Sequence, residues 1–182
     1  MRFSSESKLR LPVSERDHRQ GPADAPVTMV EYGDYECPYC GEAYPIVKQL
    51  QKAMGPKLQF VFRNFPLTNA HPHAQQAAEA AESAGAQGKF WEMHDAIYEH
   101  QRDLSTEGLL GLGESIGIDT IVLRSDLETS RFEDRVYDDF MSGARSGVNG
   151  TPSFFINGVR YDGDWDYETL IAVLQQVAVQ SK

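Results

Sequence analysis

Apolar positions in this chain follow two periods, and the switches between them mark its elements. Val27-Thr28-Met29-Val30-Glu31-Tyr32 is a short β-rich run bounded by Pro26 and Gly33-Asp34, and it predicts a buried strand. From Cys37 the period becomes helical, with Ile46, Val47, Leu50, Ala53 and Met54 on one face. Gly55-Pro56 stops that helix, a permissive glycine followed by a residue that cannot continue it. Leu58-Gln59-Phe60-Val61-Phe62 predicts a second strand, which completes a βαβ unit.

The pattern stays helical from Pro72 to about Ser146. Ala-rich 74–86 comes first, then Phe90, Met93 and Ile97, then Leu109, Leu110, Leu112 and Ile116, then Phe132, Val136 and Phe140. Strand character returns at Ser153-Phe154-Phe155-Ile156 and Val159-Arg160-Tyr161. The Asn157-Gly158 between them is a hairpin signal, because both central residues of the turn need positive φ. A last helix is expected from Asp166, a good N-cap, with Leu170, Ile171, Leu174 and Val177 inward. The order β-α-β, a long helical block, then β-β-α predicts an α/β protein: a small mixed sheet with an inserted all-helical subdomain. The expected division is a polar N-terminal arm over 1–21, a sheet domain over 22–67 and 147–182, and the insertion over 68–146.

Composition narrows the partners. Of 182 residues, 41% are hydrophobic and 24% charged, a globular mixture of single-domain size. The net charge of −10 repels phosphate backbones and anionic lipid, so neither nucleic acid nor a membrane surface is an expected partner. No stretch approaches the roughly 18 apolar residues of a membrane span. The first 26 residues carry Arg2, Lys8, Arg10, Arg16 and Arg19 among serines and acids, without the apolar core of a secretory signal. They read as a poorly ordered arm on a cytoplasmic protein; a trimmed signal would make it periplasmic or extracytoplasmic instead.

The two cysteines, Cys37 and Cys40, lie where strand gives way to helix, in the segment Cys37-Pro38-Tyr39-Cys40. Residues three apart share a helical face, close enough for their sulfurs to bond. At the helix N-terminus, unpaired amides and the positive dipole end favour a Cys37 thiolate, while Cys40 sits one turn further in and is expected to be more buried. Pro38 suits a first turn, where its missing N–H is no loss. Two alternatives stand beside redox chemistry: half of a zinc site completed by His71 and His73, or a pair of inert thiols.

The sequence resembles the thioredoxin-fold superfamily and, within it, the DsbA-like thiol–disulfide oxidoreductases, over about residues 22 to 180. The resemblance rests on the strand before Cys37-Pro38-Tyr39-Cys40 and on Arg63-Asn64-Phe65-Pro66-Leu67. It rests also on Gly88-Lys89-Phe90-Trp91-Glu92-Met93-His94-Asp95 and on Gly147-Val148-Asn149-Gly150-Thr151-Pro152-Ser153-Phe154. The long helical insertion points to the DsbA-like branch rather than to the shorter thioredoxins and glutaredoxins. The resemblance implies a thioredoxin fold and a redox-active Cys37–Cys40 disulfide with no further cofactor. It implies a cis Pro152 facing that disulfide and a Thr151 backbone free to pair with an incoming extended chain, with Pro38 and Tyr39 also meeting substrate. Glu31, six residues before Cys37, takes the place of an acid that relays the proton of the second cysteine; desolvation in an apolar strand suits it to that work.

Tyr39 departs from the strongly oxidising members, which often carry histidine there. Asp34 and Glu36 add acids close to Cys37 that oppose ionisation, so a potential more reducing than that of the strong oxidases is expected. The leading function is dithiol–disulfide exchange with protein or small-thiol substrates and a separate redox partner. Against it stand a glutathione-dependent transferase-like protein, whose relatives generally lack the second cysteine, and a non-enzymatic CxxC module that senses redox state or binds metal. His94 and His100 are assigned no catalysis, and Phe90, Trp91 and Met93 are read as core of the insertion.

Overall fold

Apolar runs broken by Gly and Asn turns give most of the strands, and the computed structural model, which describes residues 3–181, joins them with two polar N-terminal strands in one six-stranded mixed sheet. The strands are β1 (Phe3–Lys8), β2 (His18–Gln20), β3 (Val27–Gly33), β4 (Leu58–Asn64), β5 (Ser153–Ile156) and β6 (Val159–Tyr161), in the order β1-β6-β5-β3-β4-β2. The chain divides into two compact units. One holds residues through Gly33, Glu42–Arg63 and everything from Ser142 on; the other holds Asp34–Gly41 and Asn64–Met141.

In the sheet unit, β3 and β5 run antiparallel with Met29 opposite Ile156 and Glu31 opposite Phe154. The β5–β6 hairpin turns at Asn157 (φ 47°) and Gly158 (φ 77°), the positive pair its sequence requires. The Asn157 side chain also accepts from Thr28 N–H at 2.7 Å, which fixes the turn against the start of β3. Helix α1 (Pro38–Met54) buries Ala43, Val47, Leu50 and Met54; Ala53, expected inward, is exposed and Ile46 is half-buried. A 3-10 turn over Gly55–Lys57 follows, with Gly55 at φ 52°. Helix α7 (Tyr167–Gln180) is capped by Asp166, whose carboxylate accepts from Thr169 N–H at 3.0 Å. It buries Leu170, Val173, Leu174 and Ala178, while Ile171 and Val177, expected inward, are half-buried.

The N-terminal segment is not the poorly ordered arm its composition suggests. β1 pairs with β6 and β2 with β4, so the segment extends the sheet at both edges, where unpaired backbone groups offer a template. A second anchor is Arg63, a fully buried guanidinium on β4. It donates to Asp17 Oδ1 at 2.8 Å and Oδ2 at 3.1 Å, to the carbonyls of Leu11 and Pro12, and to the Tyr32 hydroxyl at 2.9 Å. A buried cation must find such partners, and the arm supplies most of them.

The helical unit contains α2 (Ala74–Ala86), α3 (Phe90–Glu99), α4 (Thr106–Ser115), α5 (Thr120–Glu128) and most of α6 (Glu133–Arg145). α5 has little apolar periodicity and buries only Leu123 and Asp126. Its start is set instead by the Asp119 cap, which accepts from Ile121 and Val122 N–H. Phe65 stacks on Phe140 with centroids 4.4 Å apart. Beside them α6 turns a carboxylate inward: Asp139 accepts from Asn64 N–H at 3.1 Å and pairs with Arg135, which also reaches Glu82. Burial pushes the Asp139 carboxyl above its ordinary range against the pull of Arg135. Among the described residues no helix is long and apolar enough to cross a membrane.

Candidate active site

The site is built on the loop that leaves β3. Asp34 turns its buried carboxylate back on the chain. Oδ1 accepts from Glu36 N–H at 2.8 Å and Cys37 N–H at 3.2 Å; Oδ2 accepts from Leu67 N–H at 2.8 Å and lies 2.8 Å from His71 Nδ1. One side chain thus shapes the turn into α1 and ties it to the segment after β4, as Asx turns and caps do. Cys37 is the cap residue, Pro38 the first helical position, and Cys40 lies in the first turn. The Asp34 N–H points at Cys40 Sγ at 3.4 Å, a donor that favours negative charge on that sulfur.

Both cysteines are buried, Cys37 at 3% exposure and Cys40 at 0%, so Cys40 is the more covered of the two, but only narrowly. Pro38 and Tyr39 between them are exposed, Tyr39 at 61%. The motif therefore offers an aromatic ring to solvent beside a nearly covered thiol.

Three further residues hold the loop, and the sequence reading assigned none of them this work. Gln101 donates through Nε2 to the carbonyls of Tyr35 at 2.8 Å and Cys37 at 3.0 Å. Gly41 makes room for it, since a Cβ there would overlap the Gln101 amide. His94, buried among the rings of Phe90, Trp91 and Tyr98, sets Nδ1 3.0 Å from the Tyr35 hydroxyl. No local signal marks Gln101, which lies 64 residues from Cys37.

The two acids expected to oppose a Cys37 thiolate each meet a histidine. His73 donates its N–H to Glu36 Oε2 at 2.6 Å and sets Nδ1 2.9 Å from Oε1, at the N-terminus of α2 where a carboxylate is favoured. His71 pairs with Asp34. Burial works against a charged imidazole there, but the Asp34 bond and charge, followed by the charges of Cys37 and Glu36, hold its pKa above the ordinary 6.5. The histidines of the zinc alternative are thus turned to carboxylates. Among the described residues no three His, Cys, Asp or Glu side chains are gathered as a metal site.

The sheet unit carries the other expected site residues. Glu31 is buried on β3 at 3% exposure, opposite Phe154. Thr151 and Pro152 are half-buried just before β5, and the peptide bond between them is cis. Two residues past that bond, Phe154 is the cross-strand partner of Glu31, so one end of the β3–β5 pair carries all three.

A dithiol at the N-terminus of the first helix, a cis-proline before the β5–β6 hairpin and a helical insertion between β4 and β5 define a thioredoxin-fold protein with an inserted helical region. The chain belongs to the thioredoxin family, whose model matches residues 13–176. The fold of BdbD from Bacillus subtilis superposes with a TM-score of 0.85 at 24% identity, covering 95% of this chain and 98% of that one. The thiol–disulfide exchange protein alpha-DsbA2 from Wolbachia pipientis superposes with a TM-score of 0.78 at 23% identity, over 90% and 88% of the two chains. In sequence, 91% of the chain is 47% identical to part of a protein named Na(+)/H(+) antiporter NhaA 1 from Salinispora arenicola. The match spans only 26% of that relative's length.

Proposed function

We propose that the protein is a thiol–disulfide oxidoreductase in which Cys37 attacks and Cys40 resolves. The observation that carries this reading is the placement of Cys37 as the cap of α1 with Cys40 one turn in, its sulfur facing the Asp34 N–H. Helix-terminal amides lower the cost of a thiolate at such a position. In the reducing direction, the Cys37 thiolate attacks a substrate disulfide, forming a mixed disulfide and releasing one substrate thiolate. Cys40, once deprotonated, attacks Cys37 Sγ; the second substrate thiolate leaves, and the two electrons lost by the dithiol now reside in the substrate thiols. Run backwards, the same steps oxidise a substrate dithiol. No cofactor beyond the cysteine pair is needed.

In this reading Glu31 takes up the Cys40 proton, a role for which a carboxylate buried on an apolar strand is suited. Tyr39 offers an exposed ring to the substrate, and the Thr151 backbone offers an extended substrate segment its pairing groups. The substrates are proteins or small molecules bearing a disulfide or a thiol pair. The antiporter name of the Salinispora relative supports a wider partner set, in which a domain of this kind serves a membrane transporter.

The test is reduction of insulin or of a disulfide-linked peptide by a dithiol-regenerated protein. Wild type should turn over and Cys37→Ser should be inactive. Turnover by Cys37→Ser equal to that of wild type contradicts the reading.

A further inference from the structure

We propose that His71 is a positioning residue of the dithiol site, acting through Asp34 to set how readily Cys37 ionises. The Asp34 side chain has 0% exposure and serves four donors. Three of these are backbone N–H groups, which keep their protons at any working pH. The fourth, His71 Nδ1, belongs to the one partner whose charge can change, and its side chain is 19% exposed, so protons reach it.

The consequence follows from where Asp34 Oδ1 lies. It accepts from the N–H of Cys37 itself, at the helix terminus where the thiolate must form. With His71 charged, the Asp34–His71 pair is neutral and the helix terminus acts on Cys37 nearly unopposed. With His71 neutral, the same carboxylate is an uncancelled anion beside a forming anion, and the thiolate is disfavoured. The charged groups bearing on His71 are Asp34, Cys37 and Glu36, all of which favour the imidazolium. Coupling of this kind is reciprocal: if the Cys37 thiolate favours a charged His71, a charged His71 favours the thiolate by the same factor. The Glu36–His73 pair repeats the chemistry further out, with side chains 21% and 44% exposed, and solvent screens it more.

The inference builds on the oxidoreductase reading for what the thiolate does, but its test needs no turnover. In His71→Asn, the amide can still donate to Asp34 while the charge is gone. Alkylation of Cys37 by iodoacetamide, mapped by mass spectrometry across a pH series, should show the thiolate midpoint moved up. The rate at neutral pH should drop about three- to fivefold. His73→Asn should move it less. An unchanged midpoint in folded His71→Asn, or an equal shift in His73→Asn, overturns the proposal.

The reciprocal measurement covers the case in which His71→Asn fails to fold. The His71 imidazole titration, followed by NMR, should move to lower pH in Cys37→Ala, and an unmoved titration also overturns the proposal. If His71 and Cys37 shift one another in a protein that exchanges no disulfides, the coupling stands and the oxidoreductase reading falls.

Discussion

Two buried carboxylates organise this molecule, and they differ in the cation each has found. Asp17 in the sheet unit meets Arg63; Asp34 in the helical unit meets His71. Both collect backbone contacts around the pair. Asp17 accepts from Ser14 N–H while Arg63 reaches the carbonyls of Leu11 and Pro12, and Asp34 accepts from Glu36, Cys37 and Leu67. Burial works against the Arg63 charge, but its bonds and charge interactions with Asp17 and Tyr32 more than offset that and raise its pKa further. That clasp is permanent at any working pH. The His71 clasp rests on an imidazole, a group that can lose its charge, with its pKa held above the ordinary 6.5. The lesson is that similar geometry serves architecture with one cation and adjustable chemistry with the other. The adjustable one stands beside the cysteines.

The largest effect is expected from Arg63→Ala, which strands a buried Asp17 and frees the N-terminal segment. It should cost about 3–5 kcal/mol in urea unfolding, equally at mildly acid and mildly alkaline pH. A cost under about 1 kcal/mol shows the clasp to be incidental.

Asp34→Ala should come next, at about 2–4 kcal/mol, because it removes the acceptor of three backbone N–H groups around the loop. Stability unchanged by that substitution removes Asp34 as the organiser of the site.

The third effect is smaller and depends on pH. The His71 pKa is raised in the folded state, so the stability it contributes is complete below the ordinary value of 6.5 and is lost as pH rises through the folded midpoint. His71→Asn should therefore be most destabilising at acid pH and approach wild type at alkaline pH, in contrast to Arg63→Ala. A pH-independent difference contradicts the sign of the coupling.

The smallest effect concerns Gly41. Glycine to alanine inside a helix ordinarily gains about 1 kcal/mol. Here the new Cβ displaces the Gln101 amide from the carbonyls of Tyr35 and Cys37, which costs about as much. Gly41→Ala should leave thermal stability near that of wild type; a full helix-propensity gain shows that Gln101 does not clamp the loop.

Much of the fold was legible because it rests on local rules. The β3 run, the Gly55-Pro56 stop, the Asn157-Gly158 turn and the Asp166 cap are short-range signals, and each element stands where its signal placed it. Elements held by polar long-range partners were not legible. The strands of the N-terminal segment form because sheet edges and Arg63 receive them, and nothing in a polar composition announces either. α5 lacks an apolar stripe, and the α6 stripe read through Phe132, Val136 and Phe140 gave no hint that Asp139 lies buried among them.

At the site, the cysteine spacing pointed to the proposed exchange chemistry, since residues three apart at a helix start share one face. Asp34 was visible but taken as an opponent of the thiolate. Its partner His71 lies 37 residues away, and only the fold brings the two charges together. Exposure at the motif is likewise set by the fold and not by position at a helix end: Cys37 is almost wholly covered while its neighbour Tyr39 is not.

Attack by Cys37 and resolution by Cys40 can be separated by trapping. Cys40→Ser and Cys37→Ser would each be incubated with a disulfide-linked peptide, quenched with acid and analysed by mass spectrometry. A long-lived mixed disulfide should form on Cys37 in Cys40→Ser and none in Cys37→Ser, if Cys37 is the attacking sulfur. Adduct accumulating on Cys40 in Cys37→Ser, with Cys40→Ser left unmodified, would contradict it.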